Sequence, residues 1–176
     1  MHPLAQFNFC PKCGSNRFEE NNIKSKKCGN CGFIYYFNSS AATVAVILNQ
    51  ENELLVSTRA FEPAKGTLDL PGGFVDMGES LEDAVVREVK EETNLDVEEL
   101  QYLFSEPNLY MYSGFQVETA DAFFLCKVNN TRQLKAEDDV AKLEFIKIKD
   151  LDPSKFGLSS IRKGIVKAIE EGILNK

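Results

Sequence analysis

A chain of 176 residues has room for one medium domain and a small module, and its 43% apolar content with 13 Phe supplies a substantial core. A net charge of -7 argues against a general binder of phosphate backbones, although part of that charge is carboxylate that a divalent cation would neutralise. No apolar run reaches 18 residues, and MHPLAQFNFC lacks a basic stretch leading into a long apolar one. A membrane span and a secretory leader are therefore not expected, and the expected location is cytoplasmic.

The first 37 residues hold four of the five cysteines as Cys10-x2-Cys13 and Cys28-x2-Cys31, fourteen residues apart, each second Cys followed by glycine (Gly14, Gly32). In a reducing compartment this spacing favours metal thiolates over disulfides. Two thiolates on each of two tight turns fill a tetrahedron and leave no position for water, so a structural Zn²⁺ ribbon is expected, with iron in the same geometry as the alternative. Lys12, Arg17, Lys24, Lys26 and Lys27 make the module locally basic, with Glu19 and Glu20 diluting the patch. Cys126, alone in AFFLC, reads as a core residue.

Residues 38–176 have a different texture. AATVAVILN (41–49) and ELLVSTR (53–59) read as strands joined by a turn at Gln50, Glu51 and Asn52. AFEPAKGTLDLPGG, with two Pro and three Gly, reads as a loop around a short strand. A helix then runs from an N-cap at Ser80 to about Thr93, with Leu81, Ala84, Val85 and Val89 on its core face and Asn94 as a left-handed C-cap. EELQYLFSE reads as a strand entering an aromatic loop, PNLYMYSG; QVETADAFFLCKV and KLEFIKI as further strands; NNTRQLKAEDD as an exposed connection. A final helix places Ile161, Ile165, Ala168 and Ile169 on one face, capped by Ser159 or Ser160. Mixed strands with two separated helices imply an α/β (α+β) sandwich.

Glu88, Glu91 and Glu92 lie three and four residues apart and so share a helix face, where like charges repel unless a cation is held between them. Arg87 is placed to pair with Glu91. Gly73, five residues, Glu79, seven residues, Arg87-Glu88-Val89, one residue, Glu91-Glu92, one residue and Asn94-Leu95 together resemble the Nudix box, with every charged position filled. The departure is Asn94 where that family usually has glycine.

The resemblance, which spans about residues 39–170, implies a Nudix α/β/α sandwich with a mixed sheet behind the zinc ribbon. It implies hydrolysis, with Mg²⁺ or Mn²⁺, of a nucleoside diphosphate linked to another moiety. Glu88, Glu91 and Glu92 would be the principal metal ligands, with the backbone of Gly72 and Gly73 nearby. Glu79 would support the network and Arg87 orient it. The general base would be Glu91, Glu92 or one of Glu137, Asp138 and Asp139. Arg59 and Asp76 would lie near substrate.

A four-Cys ribbon ahead of such a domain resembles the NADH pyrophosphatase group. Where that group carries Ser-Gln-Pro-Trp-Pro-Phe-Pro-x-Ser, this chain reads Ser105 to Ser113 as SEPNLYMYS, keeping both serines, the first proline and one aromatic. Glu106, Tyr110 and Tyr112 would then contact the substrate, which is NADH, an ADP-sugar such as ADP-ribose, or a nucleoside triphosphate. The group also implies a homodimer, with FIYYFN as an apolar contact. Two other classes stay open at this level: a Nudix-like domain that senses a nucleotide without cleaving it, and a ribbon that docks protein or nucleic acid.

Overall fold

Continuous burial along the central strands sets the layering. The computed structural model describes residues 2–128, 130–137 and 140–175. The chain divides into two units, Met1–Ser39 and Ser40–Lys176.

In the first unit, β1 (Phe18–Asn22), β2 (Ser25–Cys28) and β3 (Ile34–Tyr36) form an antiparallel sheet in that order. Its small core is Cys10, Phe18 and Cys28 with Phe33 against them. So few apolar contacts support little stability on their own, and units of this size are ordinarily completed by a metal or by disulfides.

In the second unit, β4 (Ser40–Ile47) pairs in parallel with β8 (Phe115–Val128), which pairs antiparallel with β7 (Val97–Tyr112). A second sheet is ordered β6 (Leu68–Asp69), β5 (Glu53–Arg59), β9 (Val140–Lys147) and is antiparallel. The helices are α1 (Leu81–Thr93) and α2 (Ser159–Glu170). Val44 and Val46 of β4, Leu54 and Val56 of β5 and Phe123 of β8 join one core with Ile161 and Ile165 of α2. Their sequence neighbours Ala45, Ile47, Leu55, Ala122 and Phe124 join the other with Val85 and Val89 of α1. Strands apolar at every position are thus buried on both faces, which explains why TVAVI shows no alternation in sequence. The result is a mixed α+β sandwich with a helix on either side.

Helix α1 matches the reading from sequence: Ser80 Oγ accepts from the Asp83 amide at 3.1 Å, and Asn94 adopts φ 59° with its N–H on Lys90 O. Two expectations need correction. Most of the aromatic segment PNLYMYSG is strand and only Ser113 and Gly114 turn, because β7 continues to Tyr112, its Asn108, Leu109 and Tyr110 in register with Thr119, Glu118 and Val117 of β8. Nor does Ser159 or Ser160 cap α2, whose N-cap is Leu158 with no side-chain bond.

No helix among the described residues is long and apolar enough to cross a membrane.

Candidate active site

The glycine turn is bound to β4 from both sides. Thr43 N–H donates to Gly73 O at 2.8 Å and Ala45 N–H to Pro71 O at 2.7 Å. Gly72 has φ 149°, a region that favours glycine, and a Cβ there would lie 2.9 Å from the Thr43 carbonyl carbon and 3.0 Å from Val44 Cα. Glycine is required because the turn rides directly on the strand backbone.

Facing this turn is α1. Glu92, 9% exposed, accepts the Gly72 amide on Oε2 at 3.0 Å. Glu88 sits against the next residue, where a Cβ on Gly73 would come within 2.6 Å of its Cδ. Arg87 occupies the centre of the charged face. Its Nε and Nη2 grip both oxygens of Glu79 at 2.8 and 2.9 Å, and its Nη1 reaches Glu88 at 2.8 Å and Glu91 at 3.1 Å. Nη2 also donates to Phe74 O at 3.0 Å. The bond from Arg87, then that from the Asp76 amide, hold the Glu79 carboxyl down at about 2. Its carboxylate partners hold the Arg87 guanidinium firmly protonated.

Arg87, Glu79, Glu88 and Glu91 are therefore brought together in one network, with two differences from the expectation. Arg87 binds three carboxylates rather than Glu91 alone. Glu88, Glu91 and Glu92 do not close to shared-ion distance: among the described residues, the four cysteines are the group that does, all sulfurs within 4.8 Å of one another. Hard carboxylate oxygens beside a backbone turn are nevertheless the donor set that suits Mg²⁺ or Mn²⁺. Of the later acids, Glu137 donates its amide to Glu92 O at 3.2 Å while its carboxylate meets Lys135 Nζ. Asp138 and Asp139 lie outside the described residues.

Residues of both sheets line a cavity of about 220 Å³ that opens beside Gly72, Gly73 and Glu92. Arg59 lines it, bound by Asp69 at 2.5 Å and by Pro63 O at 2.7 Å. Burial pushes the Asp69 carboxyl up, against the pull of Arg59. Tyr110 also lines the cavity, and burial raises its hydroxyl. Tyr112, Glu106 and Asp76 are not among the lining residues. Tyr112 is 61% exposed, Glu106 faces Lys167 of α2 at 3.7 Å, and Asp76 is exposed on the turn before α1. The sequence reading missed Asp69, Asn108 and Asp121, all buried and all lining the cavity. Asn108 and Asp121 alternate with apolar neighbours in strand register, a signal that becomes visible only when the two strands are paired.

In the first unit, Cys10 and Cys31 sulfurs are 3.8 Å apart and those of Cys13 and Cys28 3.7 Å. A tetrahedron with arms of about 2.3 Å has edges of about 3.8 Å, so the cysteines fit Zn²⁺. Amides of Cys31 and Asn30 approach Cys28 Sγ at 3.4 Å each and pull that thiol down to about 6. The two glycines adopt φ 71° and 73° and send their own amides to Cys10 O and Cys28 O. The basic patch is smaller than its sequence suggests. Lys26 is 7% exposed with Nζ on Phe7 O at 2.8 Å, and Arg17 is committed to Gly29 O.

An α+β sandwich that holds a carboxylate-bearing helix against a glycine turn defines a class, and comparison with known proteins specifies it. The NUDIX domain profile matches residues 39–168, and the chain belongs to that family. It is 32% identical over 120 residues to the NAD-capped RNA hydrolase NudC of Vibrio parahaemolyticus, covering 68% of this chain and 45% of that protein. It is 36% identical over 125 residues to the ADP-ribose pyrophosphatase of Methanocaldococcus jannaschii, covering 70% of this chain and 71% of that one. The chain thus spans less than half of the NudC relative. A NUDIX hydrolase structure from Nitrosomonas europaea superposes with a TM-score of 0.70 at 21% identity, over 93% of this chain and 91% of that one, a likeness of fold.

Proposed function

We propose that the chain is a Mg²⁺- or Mn²⁺-dependent pyrophosphohydrolase acting on a nucleoside diphosphate linked to another moiety. The observation that carries this reading is the Arg87-centred network, which holds Glu79, Glu88 and Glu91 in place while Gly72 holds Glu92. Glu88, Glu91 and Glu92 would hold the cation with the Gly72 backbone. When bound, it supplies charge neutralisation for the diphosphate and lowers the pKa of water. Arg87 spends its donors on carboxylates and the Phe74 carbonyl and so acts as a positioning residue, fixing the carboxylate rotamers before substrate arrives. Glu91 is the proton acceptor favoured here. Its side chain is 48% exposed and its contact with Arg87 is the longest of the three, whereas the Glu137 carboxylate is engaged by Lys135.

The relatives' names support ADP-ribose and NAD(H) as the substrates to try first, and ADP-ribose pyrophosphatase is the relative whose own length is better covered. We assign the four cysteines to a structural Zn²⁺ and the exposed Ile34, Tyr35 and Tyr36 to a homodimer contact, with metal analysis and sedimentation as tests.

The deciding experiment is hydrolysis of ADP-ribose, NADH, NAD⁺ and the common triphosphates with either cation, products identified by mass. AMP with ribose 5-phosphate or with a nicotinamide mononucleotide is expected. Glu88→Gln should remove activity with the fold intact. An unchanged rate in that variant, or no product from any substrate, would overturn the reading and favour a nucleotide sensor.

A further inference from the structure

One wall of the cavity beside Glu92 carries a buried carboxylate without a cation. Asp121 is 4% exposed, and its two oxygens accept from the hydroxyls of Thr119 and Ser160, each at 2.5 Å. Among the described residues no Lys or Arg pairs with it. The neighbouring guanidinium of Arg59 is taken by Asp69 and Pro63 O. Two neutral hydroxyls satisfy part of a carboxylate's acceptor capacity and leave lone pairs for further donors. Keeping such an anion buried is costly unless something completes its shell.

Asn108 stands on the adjacent strand, 5% exposed, and Ser159 Oγ donates to its Oδ1 at 3.0 Å. That bond orients the amide so that Nδ2 remains a donor. Both anchors come from the first turn of α2. The serines that would ordinarily cap this helix are turned instead onto Asn108 and Asp121, and the helix begins without a side-chain cap. An acceptor and a donor are therefore clamped on diagonal positions of paired strands, Asn108 opposite Thr119 and Asp121 opposite Glu106, and both line the same cavity with apolar Leu158 and Ile161.

We infer that Asp121 and Asn108 are specificity-determining residues that read a donor-rich polar edge on the nucleoside half of the substrate. That chemistry has two sources: the cis-diol of a ribose, which gives two hydroxyl donors to a carboxylate, or a ring amino group beside a ring-nitrogen acceptor, which pairs with Asp121 and Asn108 together. The inference rests on the pyrophosphohydrolase reading only for what is joined to that nucleoside. A purely apolar slot would not discriminate such groups, whereas buried acceptors reject analogues that leave them unpaired.

The test is calorimetric binding of AMP, 2′-deoxy-AMP, IMP and ribose 5-phosphate to the full chain, so that no turnover is needed. AMP should bind, and Asp121→Asn and Asn108→Leu should each weaken it by about tenfold or more. Ser159→Ala, which removes only a clamp, should weaken it less. Loss of the preference for AMP over 2′-deoxy-AMP in Asp121→Asn identifies the diol; loss of the preference for AMP over IMP identifies the amino group. Denaturation midpoints report whether each variant folds, and Asn108→Leu carries the test if Asp121→Asn does not. The inference is overturned if folded variants bind AMP as tightly as wild type, if wild type does not distinguish the three nucleotides, or if none of the four probes binds. Discriminating binding without any hydrolysis would sink the hydrolase reading alone, whereas hydrolysis with unaltered binding in the variants would sink only this one.

Discussion

Replacing Gly72 by Ala tests the central packing relation of the site. The backbone there has φ 149°, and confining a non-glycine residue to so sparsely populated a region costs about 1–3 kcal/mol. The added Cβ would sit 2.9 Å from the Thr43 carbonyl carbon, nearer still to its oxygen, and 3.0 Å from Val44 Cα. All of these are backbone atoms of a strand buried on both faces, so the turn must move instead. Moving it strains the bonds from Thr43 and Ala45 to the turn carbonyls, each contributing about 0.5–1.5 kcal/mol. A total loss of about 2–6 kcal/mol is expected. Gly66→Ala is the matched control: φ is 81°, but nothing lies within 4 Å of the new Cβ. It should cost about 1 kcal/mol. Urea denaturation of both variants measures the difference, and hydrolysis by the folded fraction shows whether Glu92 has lost its amide. If Gly72→Ala is no less stable than Gly66→Ala, the turn is not wedged against β4.

The remaining expectations concern charge and packing. Arg87→Lys keeps the charge but loses the fork that grips Glu79 at two oxygens, and kcat should fall by about 10- to 100-fold with KM little changed; a change in KM alone would contradict the positioning role. Glu79 titrates at about 2 rather than an ordinary 4.5, so its contribution to stability is complete above pH 4.5 and is lost as pH falls toward 2. Glu79→Gln should therefore flatten the acid limb of a stability profile in that window, and an unaltered slope would refute the assignment. In Gly164→Ala a Cβ would meet the ring of Phe123, 1% exposed, at 3.2 Å from Cδ1 and closer to Cε1 and Cζ. Overpacking of about 1–3 kcal/mol, offset by about 1 kcal/mol of helix propensity, predicts a net loss of about 1 kcal/mol by denaturation; a more stable variant would show that α2 has slack above Phe123.

Much of α1 was legible in the sequence because its signals are local. The N-cap at Ser80, the four-residue spacing of Leu81, Val85 and Val89 and the αL residue Asn94 all act within one or two turns. The tetrahedral cysteines were legible for the same reason. Where the reading failed, the deciding contacts are distant in sequence. Ser159 and Ser160 look like helix caps until β7 and β8 bring Asn108 and Asp121 beneath them, 51 and 39 residues away. The aromatic stretch from Pro107 to Tyr112 looks like a loop because this end of β7 is itself exposed on one side, Leu109 and Met111 facing solvent while Asn108 between its exposed neighbours is buried. The Arg59–Asp69 pair needed the β5–β6 pairing, which a strand of two residues does not announce.

The attachment of the glycine turn to β4 gives one strand two clocks. Successive amides of a strand point to opposite sides, and those of Thr43 and Ala45 are spent on Gly73 and Pro71. Those of Val44 and Val46, by alternation, face the parallel partner β8. Exchange of the first pair with solvent deuterium requires only that the turn lift away, whereas exchange of the second requires the central sheet to part. Neighbouring residues in a single buried strand should therefore exchange at rates governed by different opening events, and a ligand that clamps the turn would slow Thr43 and Ala45 while leaving Val44 and Val46 as they were.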